Sequence, residues 1–526
     1  MTTTADFVIA GAGHNSLITA AYLSAAGYSC AIVDARPVPG GGATTEELFP
    51  GFQVDTCSTG HTLIQVNPLI RDDELGLVST YGLSYIDPEP VEVCAFPDGE
   101  TLTMSLDLDA TCAEMARFSE KDAEAYRRVI TEYDEIKKIL GATRFRPVGH
   151  GPTAAQLLAD HPRAAVWTRR SMMSARDLIL HEFESPHVRA FMGWMASQTA
   201  VPIDGAGTGL LSYQIVSGRQ ARSWSIPAGG SGQLVQALVG YLTDHGATIE
   251  CDVVVDQLIL DGDRCVGVRS EDGREWRGRL GVISTIHVKH LVDMAPADAW
   301  GEDFTYGVAT YHPGVPFFGG YLATSAPVEF ATHAGPRSAV SSGYAGWLED
   351  QATHLRAVSN GDFVDSDTWV LVATPSLADP SRAPEGHQTV KMVTFNAYDP
   401  GGGSDRWAEI KDAHFDRQLE HLRRFAPGFT DDVILDRVVK SPVDVEAQNR
   451  HMFHGAPHGG DRGIAFTESQ RPVPGWARHR MPIEGLYQTG GTTHPGGSIT
   501  GAPGRNAAMI VLADLGRDPG EVMGVV

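Results

Sequence analysis

The chain has 526 residues, of which 42% are hydrophobic, and a formal net charge of −24 at pH 7. This length predicts two to four domains, at roughly 100 to 200 residues each. The excess negative charge disfavours nonspecific binding to nucleic acid or anionic lipid, because like charges repel at long range. No apolar run reaches the about 18 residues of a membrane-spanning helix, so no transmembrane segment is expected, although peripheral membrane contact stays open. The first predicted strand begins too early for a secretory signal, and we therefore expect a cytoplasmic protein.

The six cysteines are scattered, without the CxxC spacing of a disulfide reductase or a structural zinc site. Isolated cysteines among apolar neighbours usually serve as small core residues, and reduced thiols fit a cytoplasmic location. The histidines do not recur at i and i+4 with a carboxylate between them, and the sequence contains no GxSxG elbow. The sequence therefore predicts neither a metal site nor a serine nucleophile.

The first motif is an apolar strand, residues 7–10, that runs into Gly11-Ala12-Gly13-His14-Asn15-Ser16 and then into a helix. Gly11 permits the tight turn, and Gly13 lets the backbone approach a pyrophosphate. The last position of this GxGxxG pattern normally holds Gly or Ala, whereas here it holds Ser16. Asp34, at the end of the next predicted strand, can accept hydrogen bonds from a ribose. These features predict a dinucleotide-binding unit; the alternative is a glycine turn in an ordinary βαβ unit.

A second glycine run, Gly40-Gly41-Gly42, follows Asp34 after five residues. Such a loop can bring backbone against a cofactor, and NAD-binding folds do not require it. The spacing resembles the E-x5-G-G extension of the FAD-dependent amine oxidase and phytoene desaturase superfamily, with Asp34 in place of the usual Glu. A flexible surface loop is the alternative interpretation. The resemblance implies FAD contacts in the first two loops at Gly11, Gly13, His14, Asn15, Ser16, Asp34, Ala35, Arg36, Gly41, Gly42 and Ala43.

The segment from Ile226 to Met294 returns to the same domain character. Its first half has apolar residues three to four positions apart, as the buried face of a helix requires, and its second half predicts a series of strands. This order resembles the middle segment of the same flavoprotein superfamily. The resemblance implies that Val255 contacts adenine through its backbone, and a core strand valine is the alternative.

The most specific string lies at residues 485–508, GLYQTGGTTHPGGSITGAPGRNAA. It predicts a strand, a glycine-rich loop and a helix start, where backbone N–H groups and the helix dipole favour an anion. The string resembles the ending of the phytoene desaturase-like flavoproteins, especially the bacterial carotenoid ketolase branch and the pyridine nucleotide-disulfide oxidoreductase domain-containing proteins. Ser498 stands where these relatives usually have a third glycine. The resemblance implies flavin contacts at Gly490, Gly491, Gly497, Ser498 and Ile499.

The resemblance implies an α/β fold, with a Rossmann-type, glutathione reductase-like FAD-binding domain assembled from discontinuous segments and an α+β substrate domain. We expect the FAD-binding domain at 1–69, 223–297 and 441–526. The substrate domain is expected at 70–222, which reads as mainly helical, and at 298–440, which reads as a mixed sheet. In the relatives this domain lays a sheet over the flavin and helices around an apolar tunnel.

The implied function is FAD-dependent hydride abstraction or desaturation of an apolar, isoprenoid- or carotenoid-like molecule, with oxygen or a quinone as electron acceptor. The alternatives are a flavin-dependent ketolase or redox-neutral double-bond isomerase, an amine oxidase-like enzyme, and a non-catalytic FAD-binding scaffold. His61, His454 and His494 fall in blocks expected to approach the flavin and are candidates for an acid or base. For each of them a structural, hydrogen-bonded histidine is the alternative.

Overall fold

The computed structural model describes residues 2–366 and 368–524. The strands are, in chain order, β1 (Thr2–Ala10), β2 (Cys30–Val33), β3 (Thr45–Phe49), β4 (Phe52–Asp55), β5 (Tyr85–Ile86), β6 (Glu92–Ala95), β7 (Thr101–Met104), β8 (Ile226–Pro227), β9 (Thr248–Glu250), β10 (Val255–Asp261), β11 (Arg264–Ser270), β12 (Glu275–Ser284), β13 (Phe317–Thr324), β14 (Ser341–Ala345), β15 (Trp369–Ala373), β16 (Gln388–Phe395), β17 (Ile434–Lys440) and β18 (Leu486–Gln488).

The α-helices are α1 (His14–Ala25), α2 (Pro68–Arg71), α3 (Leu108–Ala116), α4 (Glu120–Arg144), α5 (Ala154–Ala159), α6 (Ala164–Met172), α7 (Ala175–Glu182), α8 (Pro186–Ser197), α9 (Leu210–Arg222), α10 (Gly232–Asp244), α11 (Val288–Leu291), α12 (Ala297–Trp300), α13 (Glu302–Ala309), α14 (Leu348–Ser359), α15 (Trp407–Leu422), α16 (Pro442–Gln448), α17 (Ala502–Asp514) and α18 (Pro519–Met523). Short 3-10 helices occur between several of them.

The first sheet gathers strands from three separate parts of the chain. Its order is β10-β11-β12-β1-β2-β9, and β18 pairs with β12. β12, β1, β2, β9 and β18 run parallel, whereas β10 and β11 form an antiparallel extension. Parallel strands of this kind have buried, continuously apolar sequences, as in Phe7 to Ala10, which are at most 1% exposed. The Rossmann-type α/β fold predicted from the sequence is confirmed.

The second sheet has the order β17-β13-β16-β15-β14-β6-β7 and is mostly antiparallel, with a parallel β14–β6 pair. All of its strands fall within 70–222 and 298–440. The first of these segments carries α3 to α9, and these helices pack against one side of the sheet around Trp194 and Trp369. The domain boundaries drawn from the sequence stay a prediction.

Helices α1 and α17 cross at a glycine. A Cβ atom on Gly504 would lie 2.2 Å from the carbonyl oxygen of Asn15, so only glycine allows this approach. The Gly504 amide donates to Asn15 Oδ1 at 3.3 Å, and Thr19 Oγ1 donates to the Gly504 carbonyl at 2.9 Å. The crossing fixes the beginning of the chain against its end.

We expect Gly504→Ala to lower the free energy of unfolding by about 1 to 3 kcal/mol, because the added methyl group must push the two helices apart. Gly141→Ala is the matched control, since Gly141 also lies inside a helix but a Cβ there meets no atom within 4 Å. The control should be neutral or stabilising by up to about 1 kcal/mol. Thermal unfolding of the FAD-bound variants measures both, and equal melting temperatures for the two variants would contradict the steric account.

Candidate FAD site and adjoining cavity

The predicted dinucleotide turn lies at the carboxyl ends of β1 and β2. Gly11 has φ +101°, and a Cβ there would lie 2.1 Å from Thr285 Oγ1, so both conformation and space require glycine. The Ala12 amide donates to Asp34 Oδ2 at 2.5 Å, and the Arg36 amide donates to Asp34 Oδ1 at 2.8 Å. Burial raises the pKa of Asp34, and these two amide bonds oppose the rise. The carboxylate therefore ties the turn to the end of β2.

The groove beside this turn has the open space and the free backbone amides that a pyrophosphate requires. A Cβ on Gly13 would meet no atom within 4 Å, so the backbone there faces open space in a groove of about 920 Å³. No side chain caps α1, and the amides of Asn15 and Ser16 in its first turn have no acceptor among the described residues. Free amides at a helix N-terminus favour a phosphate group. The residues present therefore fit the diphosphate of FAD.

Ser16 occupies the last position of the glycine pattern without opening the turn. Its hydroxyl lies 2.6 Å from the Gly11 carbonyl oxygen and 2.8 Å from the Gly13 carbonyl oxygen, so its single proton can serve either. The side chain is fully buried against the turn and does not line the groove. The Ser16 hydroxyl thus stabilises the glycine turn, and its side chain is not in a position to contact a ligand in the groove; a contact between the Ser16 amide and FAD stays a prediction.

The second glycine loop packs directly on the first. The Gly40 amide donates to the Ala12 carbonyl at 2.8 Å. The Arg36 guanidinium donates to the Gly41 carbonyl at 2.9 Å. Ala43 is buried in the core and lines neither the groove nor the adjoining cavity.

Most of the residues implied by the resemblance face the groove together. The groove is lined by Gly11, Gly13, His14, Asn15, Asp34, Ala35, Arg36, Gly41, Gly42, Val255, Gly490 and Gly491. Val255 is the first residue of β10 and lines the groove, as do Thr285 and Met294. A role for these residues in binding FAD stays a prediction that the shape of the groove supports.

The C-terminal loop divides between the groove and a second cavity. Gly490 and Gly491 line the groove, whereas Gly497, Ser498 and Ile499 line a cavity of about 250 Å³. Ser498 has φ +90°, in the region that favours glycine, so it retains the backbone that a third glycine would adopt. In α17 the Ala502 amide donates to Thr500 Oγ1 at 3.2 Å, in addition to the Gly504 bond. The amides of α17 are therefore less open than the sequence predicts.

The cavity adjoins the groove through residues that line both, including His14, Asn15, Gly42 and His451. Much of its remaining surface is apolar and comes from α9, β13, β15 and β16; this part comprises Ile215, Phe317, Trp369, Leu371, Ala373 and Val393. Phe317 lines the cavity, whereas its neighbour Phe318 packs in the core. The cavity is thus a mainly apolar space beside the C-terminal glycine loop.

The three candidate histidines do not line this cavity or the groove. His61 is fully buried with Nε2 2.7 Å from Ser231 Oγ, and His494 Nε2 lies 3.1 Å from the Thr143 carbonyl oxygen. Burial lowers the pKa of His61 to about 3 and that of His494 to about 4. His454 is exposed and stacks between Tyr398 and Phe453. Their catalytic role stays a prediction that the geometry does not support.

Three other histidines line the cavity, and the sequence reasoning missed two of them. His14 was expected only as a cofactor contact, and His451 and His458 lie outside every motif. Burial lowers the pKa of His14 and His451 to about 4 and that of His458 to about 3. His451 Nδ1 lies 2.7 Å from the Thr285 carbonyl oxygen, which fixes its ring. No local pattern could have found His451 and His458, because distant segments place them.

The charged side chains of the cavity are all cationic: its lining includes Arg219, Lys391 and Arg462 and, among the described residues, no Asp or Glu. Arg219 forms a buried ion pair with Glu92, in which Arg219 Nη1 lies 2.6 Å from Glu92 Oε1. The Glu92 carboxylate offsets the charge of Arg219. The Lys391 ammonium donates to the Cys57 carbonyl, and burial lowers its pKa. The cavity therefore presents positive charge within a chain of net negative charge.

Two negative findings concern residues 2–366 and 368–524. His, Cys, Asp and Glu side chains there nowhere gather in groups of three that could hold a metal ion. In the same ranges, no helix is both long enough and apolar enough to cross a membrane.

We expect Ser498→Gly to raise the free energy of unfolding by about 1 kcal/mol, because glycine adopts φ +90° without the strain that serine bears there. Ser498→Ala is the matched control, since it removes the hydroxyl and keeps the strained backbone. Unfolding by urea with excess FAD measures the two variants. A higher free energy of unfolding for Ser498→Ala, or a lower one for Ser498→Gly, would show that the serine hydroxyl, and not backbone strain, determines stability at this position.

Stability should fall as the pH drops from about 6.5 to about 4, because His14, His61, His451, His458 and His494 have folded-state pKa values of about 3 to 4. In that window each ring binds a proton only after unfolding, which lowers the free energy of unfolding by up to about 1.4 kcal/mol per pH unit per histidine. Melting temperatures measured across this range check the slope. His494→Gln should reduce the slope of the unfolding free energy against pH by the contribution of one histidine, up to about 1.4 kcal/mol per pH unit. An unchanged slope would contradict the low pKa of His494.

The comparison with protein families identifies the fold and the cofactor. The model of the family "Flavin containing amine oxidoreductase" matches residues 17–512. An oxidoreductase of known structure from Methanosarcina mazei has a TM-score of 0.61 at 16% identity, with 98% of this chain and 100% of that chain covered. It shares the fold.

Three curated relatives extend over nearly the whole chain. Pyridine nucleotide-disulfide oxidoreductase domain-containing protein 2 of Rattus norvegicus is 28% identical, covering 97% of this chain and 94% of its own. A limonene dehydrogenase polypeptide of Castellaniella defragrans is 26% identical, with 97% and 95% covered. Phytoene desaturase (lycopene-forming) of Pseudescherichia vulneris is 25% identical, with 97% and 99% covered. The chain belongs to the flavin-containing amine oxidoreductase family and is an FAD-dependent oxidoreductase.

Proposed function

We propose that the protein dehydrogenates a small, largely apolar molecule, which we expect to be isoprenoid-like. The observation that carries the proposal is the cavity of about 250 Å³ that adjoins the cofactor groove and is lined by Phe317, Trp369 and Leu371. The names of two relatives, limonene dehydrogenase and phytoene desaturase, support dehydrogenation. Oxygen or a quinone is the proposed electron acceptor.

FAD, when bound, supplies the acceptor for a hydride from the substrate. The residues of the chain bind and orient: the apolar side chains of α9, β13, β15 and β16 exclude water and hold a hydrocarbon next to the loop Gly497-Ser498-Ile499. His14, His451 and His458 are neutral at pH 7, because burial lowers each pKa to about 4 or below. A neutral imidazole has a nitrogen lone pair that can accept the proton lost from the substrate. The imidazolium so formed adds one positive charge to a cavity that already contains Lys391 and Arg462, which have no carboxylate partner among the described residues.

The alternatives differ in how well the cavity supports them. Ketolation and double-bond isomerisation would use the same apolar surface, so the reaction product must distinguish them from dehydrogenation. A protonated amine is a poor fit, since Lys391 and Arg462 line the cavity and, among the described residues, no carboxylate there could offset its charge. A scaffold role is disfavoured, because the chain is an FAD-dependent oxidoreductase by family.

Mixing the FAD-loaded protein anaerobically with a panel of monoterpene and polyene hydrocarbons tests the proposal. We expect at least one compound to bleach the flavin absorbance and to yield a product two hydrogens lighter. Loss of colour with no lighter product, or product formed without net oxidation, would favour ketolation or isomerisation. A fully loaded protein that no compound bleaches would contradict dehydrogenation of this substrate class.

A cavity-filling variant links any bleaching to this cavity. A Cβ on Gly218 of α9 would meet no atom within 4 Å, and Gly218 lines the cavity, so Gly218→Leu fills the space without a clash at its Cβ. We expect Gly218→Leu to slow bleaching at least about tenfold, as loss of a positioned substrate would. Gly141→Leu lies on α4, which contributes no residue to the cavity lining; it is the matched control and should bleach at the wild-type rate.

A further inference from the structure

Arg462 is a cation without a partner, largely withdrawn from solvent. It lines the cavity, yet its guanidinium forms no hydrogen bond or ion pair with any described residue. Its charged neighbours are Arg144 and Arg471, which, together with burial, lower the pKa of Arg462 to about 10. Arg471, by contrast, has its donors occupied by backbone carbonyls, including that of Gly491 at 3.0 Å from Nε. Arg462 thus brings unmet donors to the lining of the cavity.

Among the described residues, no carboxylate forms an ion pair with Arg462. Asp461 accepts from the Gly463 amide at 2.6 Å and lies 3.3 Å from His312, and it is not among the groups that shift the pKa of Arg462. Glu92 is committed to Arg219. An unpaired charge withdrawn from water is costly, and its usual remedy is an opposite charge within hydrogen-bond reach.

His458 supplies a second unmet group at the same place. Both of its ring nitrogens are buried and have no hydrogen-bond partner in the described part of the chain, and one of them carries a proton in the neutral ring. Arg462 acts on this ring electrostatically, being one of the charges that lower its pKa. The Phe317 ring lies edge-on to the His458 ring, with 6.3 Å between the ring centroids. Because His458 lines the cavity, a ligand there is a candidate partner for this ring.

We propose that Arg462 and His458 bind the carboxylate of the substrate, while the apolar chain of that substrate lies against Phe317, Trp369 and Leu371. This inference rests on the proposed function and narrows its substrate class from a hydrocarbon to an amphipathic carboxylate. A guanidinium matches the two oxygens of a carboxylate with parallel N–H groups, and the imidazole N–H adds one more donor.

The test uses binding to the FAD-loaded protein, read from the perturbation of the visible flavin spectrum. Octanoate and octanamide have the same chain and differ in charge. We expect octanoate to bind at least about tenfold more tightly than octanamide, as one charge-assisted contact predicts. Arg462→Gln should abolish this preference and Arg462→Lys should keep part of it. Arg169→Gln removes an exposed arginine of α6 and should leave the preference unchanged.

Two results would overturn the carboxylate site: equal binding of octanoate and octanamide by the wild type, or a preference that persists in Arg462→Gln. Loss of FAD affinity in both Arg462 variants, with the octanoate preference intact in the fraction still loaded, would assign Arg462 to the cofactor instead. Bleaching is scored separately. An octanoate preference that depends on Arg462, without bleaching by any acid or hydrocarbon, upholds the binding site and removes the dehydrogenase proposal.

Discussion

The crossing of α1 and α17 is the contact on which both glycine loops depend. Gly504 lies against the Asn15 carbonyl, and Asn15 Oδ1 receives the Gly504 amide. Because α1 begins directly after the first glycine turn and α17 directly after the C-terminal loop, this contact sets the distance between the two loops. The groove that fits a diphosphate and the cavity beside it are therefore placed by the same packing constraint, which joins the two ends of a long chain.

The parts of the site that the sequence predicted are those carried by the backbone. Glycine spacing and strand order determine where amides and turns lie, so Gly11, Gly13, Asp34 and Gly41 face the groove as expected. The two serine departures leave this backbone unchanged, since Ser16 donates to the turn and Ser498 holds a glycine-like φ. The motif specifies the main-chain conformation, and serine in place of glycine at these two positions does not alter that conformation. The local pattern and the structure therefore agree there.

Side-chain direction was beyond the reach of the sequence. His494 lies inside the most specific string of the chain, yet its ring turns away from the cavity towards the Thr143 carbonyl. His458 and Arg462 belong to no motif, and they line the same cavity as Trp369 and Lys391 only because distant segments of the chain fold together. Net charge misleads in the same way: a chain of −24 encloses a cavity whose charged lining is cationic. The net charge is a sum over the whole chain, and it cannot show where three cationic side chains lie together.

This division between backbone and side chains has a consequence for the family. A cofactor held mainly by main-chain amides and glycine turns places few demands on side chains, so the lining of the adjoining cavity is free to change while the groove is retained. Two relatives that are 26% and 25% identical over nearly the whole chain are named for different substrates, limonene and phytoene, as this freedom predicts. The substrate of this protein is therefore to be inferred from the cavity residues that no motif contains, among them Arg462, whose donors have no acceptor among the described residues.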